Sequence, residues 1–156
     1  MQGRMYRDDD SIVDVAAVLS PLDGGGMAVN AVRKGWTRTP QDFYAEDIAS
    51  IASTADSAAS DPITVPTNAE KAYIQLYLTG HATGAGTAKA YIVASLDGTT
   101  YETAGTPISL TIASGAKRSN VAEFSIAGVN KLKVLKVNNG DPAQEITAVN
   151  VIVTFY

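Results

Sequence analysis

The sequence predicts an all-β protein, an antiparallel β-sandwich or jelly-roll-like domain preceded by an extended N-terminal arm that could carry one short helix. Three observations carry this. Short apolar runs with a period of two recur from about Pro62 to the last residue, each closed by a turn signal. Ala, Thr, Ser, Gly and Val are abundant while charged residues make up 18% of the chain, a composition that favours strands and turns over salt-bridged helices. The first 60 residues sustain neither a strand period nor a helical one. The division is therefore an arm over residues 1–60 and a β-domain over residues 61–156, with enough apolar content for one core.

In AYIQLYLT, Ile74, Leu76 and Leu78 share one face, and Tyr73, Gln75, Tyr77 and Thr79 share the other. In AKAYIVASL, Ala90, Ile92, Ala94 and Leu96 alternate with Lys89, Tyr91, Val93 and Ser95. The flexible GHATGAGT between them allows either a hairpin or a crossing between sheets. PISLTIA and NVAEFSIAG continue the pattern through Ile108, Leu110 and Ile112, then Ala122, Phe124 and Ile126. KLKVLKV and ITAVNVIVTFY follow, separated by the turn dipeptides Asn139-Gly140 and Asp141-Pro142. Of Lys131, Lys133 and Lys136, strict alternation places two on one face, which reads as a protected edge strand ahead of a contact for an acidic partner surface. In the last run Val149, Val151, Val153 and Phe155 line one face, and Asn150, Ile152, Thr154 and Tyr156 the other.

The arm is different in kind. SIVDVAAVL fits a short strand or a helix, and the three glycines of LDGGGMAVNAV are costly to order alone. EDIASIASTADSAAS could carry the short helix, starting from Phe43 or Glu46, although its Ser and Thr content and the following Asp61-Pro62 work against one.

Charge and composition exclude several functions. A net charge of −4 repels a polyanion, so no nucleic-acid partner is expected. There is no cysteine, which removes disulfides, thiolate metal sites and a cysteine nucleophile together. MQGRMYRDDD turns acidic where a secretory signal would need an apolar core, and no run approaches the ~20 apolar residues of a membrane-spanning helix. A soluble chain made in a cytoplasm, with no membrane partner, is the expectation.

The candidate chemistry is sparse. His81 has no neighbouring carboxylate in sequence, and Asp8, Asp9, Asp10 and Asp14 lack the ligand alternation of a calcium loop. Neither GGG nor GAG is followed by the lysine and hydroxyl of a phosphate-binding loop. No catalytic, cofactor or metal residue is assigned, and no enzyme activity is expected. An enzyme would need a cleft drawn from Asp97, Glu102, Glu123, Asp141 and Glu145. SLDGTTYE, Ser95 to Glu102, has the composition of a ligand site, but Asp97-Gly98 after a strand is what a tight turn needs, with Tyr101 anchoring the returning segment.

Tyr73, Tyr77 and Tyr91 project from outward faces, and with Val93 and Ile152 they suggest that these faces meet another chain or the arm. Rings of this kind also suit a sugar platform, so a carbohydrate-binding or receptor-binding module, with Trp36 or the tyrosines stacking and Asp97, Asn138 and Asn139 bonding hydroxyls, is the competing class.

The arm followed by segments such as PITVPTNAEKAYIQLYLTG, SLDGTTYETAGTPISLTI and ITAVNVIVTFY resembles bacteriophage virion structural proteins, in particular capsid decoration or cement proteins. The resemblance implies a virion location on the capsid surface, self-association with a trimer favoured, and contact with the major capsid protein or other virion subunits. Under it, Met5, Tyr6, Ile12, Val13, Val15, Trp36, Phe43 and Tyr44 would anchor the arm to neighbouring subunits, while Tyr73, Tyr77, Tyr91, Ile152 and Tyr156 would serve self-association. It implies no active site and no cofactor; a glycan remains a candidate ligand.

Overall fold

A computed structural model describes residues 5–8, 11–15 and 39–156. The chain divides into two compact units, Met1–Arg38 and Thr39–Tyr156. In the first, β1 (Met5–Asp8) pairs antiparallel with β2 (Ser11–Val15), Met5 opposite Val15 and Tyr6 opposite Asp14. Met5, Tyr6, Ile12, Val13 and Val15 are thus placed by backbone pairing alone, and Trp36 lies outside the described residues.

The second unit is an antiparallel β-sandwich. Its strands are β3 (Gln41–Asp42), β4 (Ile48–Ile51), β5 (Ile63–Thr64), β6 (Lys71–Gly80), β7 (Thr87–Ser95), β8 (Thr106–Thr111), β9 (Lys117–Ser125), β10 (Lys131–Asn139) and β11 (Ile146–Phe155). One sheet runs β3-β11-β6-β9, with β4 beside β3 on the same edge of β11; the other runs β5-β10-β7-β8. Of the six long strands only β7 and β8 are both consecutive and paired. The chain crosses between sheets at β6–β7, β8–β9, β9–β10 and β10–β11, so GHATGAGT is a crossing rather than a hairpin.

Alternation builds the core. Ala72, Ile74, Leu76 and Leu78 of β6 are fully buried, as are Val149, Val151 and Val153 of β11, and they face Ala88, Ala90, Ile108, Val134 and Val137 of the other sheet in one cluster. Each of the Val, Leu and Ile side chains removes apolar surface worth ~1.5–3 kcal/mol from water, and each alanine methyl less. Two irregularities change the phase. The register with β7 shifts between Val134 and Lys136, so Leu132 and Val134 point inward and then Val137 does. The register with β6 shifts between Thr147 and Asn150, where Ala148 takes φ +47°, and both Ile146 and Val149 point inward. Each is the signature of a β-bulge, one extra residue that restores the inward face.

Several sequence expectations change. No helix occurs among the described residues: the segment expected to carry one holds bends at 43–46 and then β4, because Ile48 and Ile51 take part in the sheet through pairing with β11. The compact unit begins at Thr39 rather than at residue 61, since β3 and β4 pair with β11 and Phe43 is buried in the core. Strand β10 is not an edge. Residues 56–60 run along its free side through hydrogen bonds from Ser57 N to Val137 O and Ser60 N to Val134 O, and β5 continues the pairing. The long edge strand is β9, which pairs only with β6 among the described residues.

Candidate functional site

In SLDGTTYE, Asp97 Oδ1 accepts hydrogen bonds from the Thr99 and Thr100 amides at 2.8 and 2.7 Å and from Ser95 Oγ at 2.9 Å, while Gly98 takes φ +80°. These amide donors, Thr100 first, hold the Asp97 carboxyl well below the usual carboxylate range. The oxygen is committed to a turn. The loop then folds back over the outer face of β7, where Val93 is fully buried, Glu102 N bonds Ala94 O, and Lys133 Nζ lies 4.2 Å from the Tyr101 ring centre. Val93 therefore meets its own chain rather than a partner, and Tyr101 anchors the returning segment by its half-buried ring.

Tyr91 stands on that same outer face, away from Tyr73 and Tyr77, because β6 and β7 belong to different sheets. The bulge in β10 places Lys131, Lys133 and Lys136 opposite Ser95, Val93 and Tyr91, so all three lysines share one face. Lys136 spans Tyr91, 5.4 Å to the ring centre, and Asp56, 2.7 Å to Oδ2. That hydrogen bond lowers the Asp56 pKa.

The outer face of the other sheet carries the remaining tyrosines. Register places Ile152, Gln75 and Val121 in one row, with Thr154, Tyr73 and Glu123 on one side of it and Asn150, Tyr77 and Ser119 on the other. Tyr73 and Tyr156 meet edge to face, with centroids 4.9 Å apart. Glu123 accepts from Tyr73 Oη at 2.6 Å and from Lys71 Nζ at 2.8 Å, and these bonds, Lys71 first, lower its pKa. Tyr77 donates to Asp47 Oδ1 at 2.5 Å under Lys117, whose Nζ is 4.8 Å from the ring centre. Desolvation and the Asp47 carboxylate push the Tyr77 hydroxyl up to about 12. The result is a surface of rings and short polar pairs, and half-exposed Val121 lies at its rim on β9.

The other singled-out residues serve the fold. Buried Asn139 donates through Nδ2 to the carbonyls of Ile51, Ala52 and Gln144 and is closed to a sugar hydroxyl, while half-buried Asn138 donates through Nδ2 to Asp56. Asp141, 1% exposed, accepts from the amides of Ala143, Gln144 and Ala85, and this network lowers its pKa. His81 lies in the exposed β6–β7 crossing, with its Nδ1 accepting from the Thr83 amide at 3.3 Å and near Thr83 Oγ1. The structure thus pairs it with a threonine. Asp97 and Glu102 line one open depression beside the β7–β8 loop, whereas Glu123 lies on the tyrosine face and Asp141 and Glu145 lie in the β10–β11 connection, so the five are not gathered into one cleft. No group of three or more His, Asp or Glu residues that could hold a metal ion occurs among the described residues. Phe43 is occupied in the core, and half-buried Tyr44 bonds Ser57 Oγ and Ala58 O within the chain. The tyrosine face and the β9 edge are what the sequence could not bring together, since no pattern in it says which strands are neighbours.

Comparison with known protein families and with curated proteins gives no match.

Proposed function

We propose that this chain is a structural virion protein that binds a phage capsid as a decoration or cement subunit. In this reading the sandwich self-associates, and the N-terminal unit contacts capsid subunits. The observation that carries the assembly part is the outer face of the β3-β11-β6-β9 sheet. Tyr73, Tyr77, Ile152 and Tyr156 line it, its rings are fixed by Glu123, Asp47 and Lys117, and it ends in a strand whose outer edge no strand among the described residues pairs with. Pre-ordered aromatic surface of this kind loses little side-chain entropy on association. The virion part rests on the sequence resemblance. Its test is the protein content of gradient-purified particles from the cells that produce the chain. Recovery in a fixed ratio to the major shell protein is expected; a chain found only in the particle-free fraction overturns the reading.

A second reading, a carbohydrate-binding or receptor-binding module, is favoured by one observation, the Tyr73–Tyr156 ring pair on the outer face of the sheet. A glycan array with the Y73A variant as control separates the two, because sugar binding would vanish with the ring.

A further inference from the structure

We propose that β9 is a twofold self-pairing edge, where a second copy of this chain adds its own β9 antiparallel and centred on Val121. The proposal rests on the reading that the sandwich self-associates, and it names the contact.

The backbone is suited to it. Nine consecutive residues, Lys117 to Ser125, pair with β6 from Thr79 to Lys71 in unbroken register, with no proline and no bulge. The opposite edge of β9 therefore presents a straight row of amides and carbonyls that no strand among the described residues pairs with. Residues 117–121 are exposed on both faces of the strand, and Val121 at its midpoint is 52% exposed.

The side chains choose the occupant. Charge along β9 is uneven, with Lys117 and Arg118 at one end and Glu123 near the other. Antiparallel addition of the same strand brings the basic end of each copy beside the acidic end of its mate, whereas parallel addition stacks like charges. With Val121 opposite Val121, Ser119 falls opposite Glu123 and Lys117 opposite Ser125, diagonal to Glu123. All of these residues lie on the tyrosine face by their register with Gln75, Tyr77, Thr79, Lys71 and Tyr73. The row Ile152, Gln75, Val121 then continues into the mate's Val121, Gln75 and Ile152, so the contact doubles the aromatic face rather than covering it. Edge lysines commonly guard against pairing, but Lys117 is drawn over the Tyr77 ring, 4.8 Å from its centre, while on the other face of the strand Asn120 donates through Nδ2 to Ser109 O of β8 at 2.8 Å, a side-chain bond rather than a ladder pairing.

The cysteine-free chain permits a direct test. Under mild oxidation across a concentration series, V121C should give a covalent dimer at least tenfold faster than S50C, a control on the opposite edge of the same sheet. Native mass of the unaltered chain should rise toward twice the monomer value with concentration, and V121K, which sets two like charges at the twofold axis, should shift that rise at least tenfold higher while leaving the melting temperature in place. Equal cross-linking at both positions, a strictly monomeric chain, or a trimer or other oligomer that V121K does not disturb would each overturn the proposal. Persistence of the chain in purified particles alongside any of these would remove this contact and leave the virion reading standing.

Discussion

Asp141 shows how much one buried side chain can hold. Its two oxygens satisfy three amides from the β6–β7 crossing and the β10–β11 turn, joining both connections at one end of the sandwich. Because those bonds depress its folded-state pKa, the stability it adds is present above the unfolded value of ~3.9 and disappears as pH falls through the lower folded value. Acid titration followed by circular dichroism should therefore show a loss of stability below about pH 4 that is smaller in D141N. A wild-type slope retained in D141N would assign the acid sensitivity elsewhere. Gly140 next to it has a steric role, since a methyl there would fall on the Thr87 carbonyl oxygen. G140A should lower stability by about 1–3 kcal/mol in urea unfolding, the cost of overpacking against backbone.

At the scale of the element, the two leucines of β10 differ in weight. Leu132 is 2% exposed in the core, whereas Leu135, at the register shift, is only half-buried. L132A should cost about 2–5 kcal/mol and L135A less than about 1 kcal/mol, read from urea midpoints at constant m-value. Strict alternation would put Lys136 in the core with Leu132 and Val134; the extra residue puts it against Asp56 and Tyr91 instead. At the other edge of the molecule, β3 and β4 show that two- and four-residue segments count as strands once β11 offers them partners. Their local pattern carries little signal of its own.

For the whole molecule, the boundary at Thr39 has a measurable consequence. A chain lacking residues 1–38 should retain a single cooperative thermal transition and an all-β spectrum. Removal of residues 1–45 takes away β3 and buried Phe43 as well, and should destabilise the sandwich by about 3–5 kcal/mol. Equal melting of the two truncations would place the boundary later. This pair also separates attachment from folding, because loss of particle binding in the 39–156 chain can be assigned to the N-terminal unit only if that chain is folded.

Alternation in AYIQLYLT, AKAYIVASL and ITAVNVIVTFY was enough to show the sandwich class and most of its core, because a side-chain period of two is a local property that burial of one face enforces. The turn at Asp97-Gly98 was legible for the same reason, being chemistry within four residues. Strand order was not, and with it went the lysine edge and the arm boundary at residue 61. Those depend on which distant strand supplies the second half of each ladder, a choice made by the summed burial of both sheets. Only the tertiary structure therefore decided that β10 is enclosed, that Val93 lies under its own loop, and that β9 is the longest edge strand among the described residues.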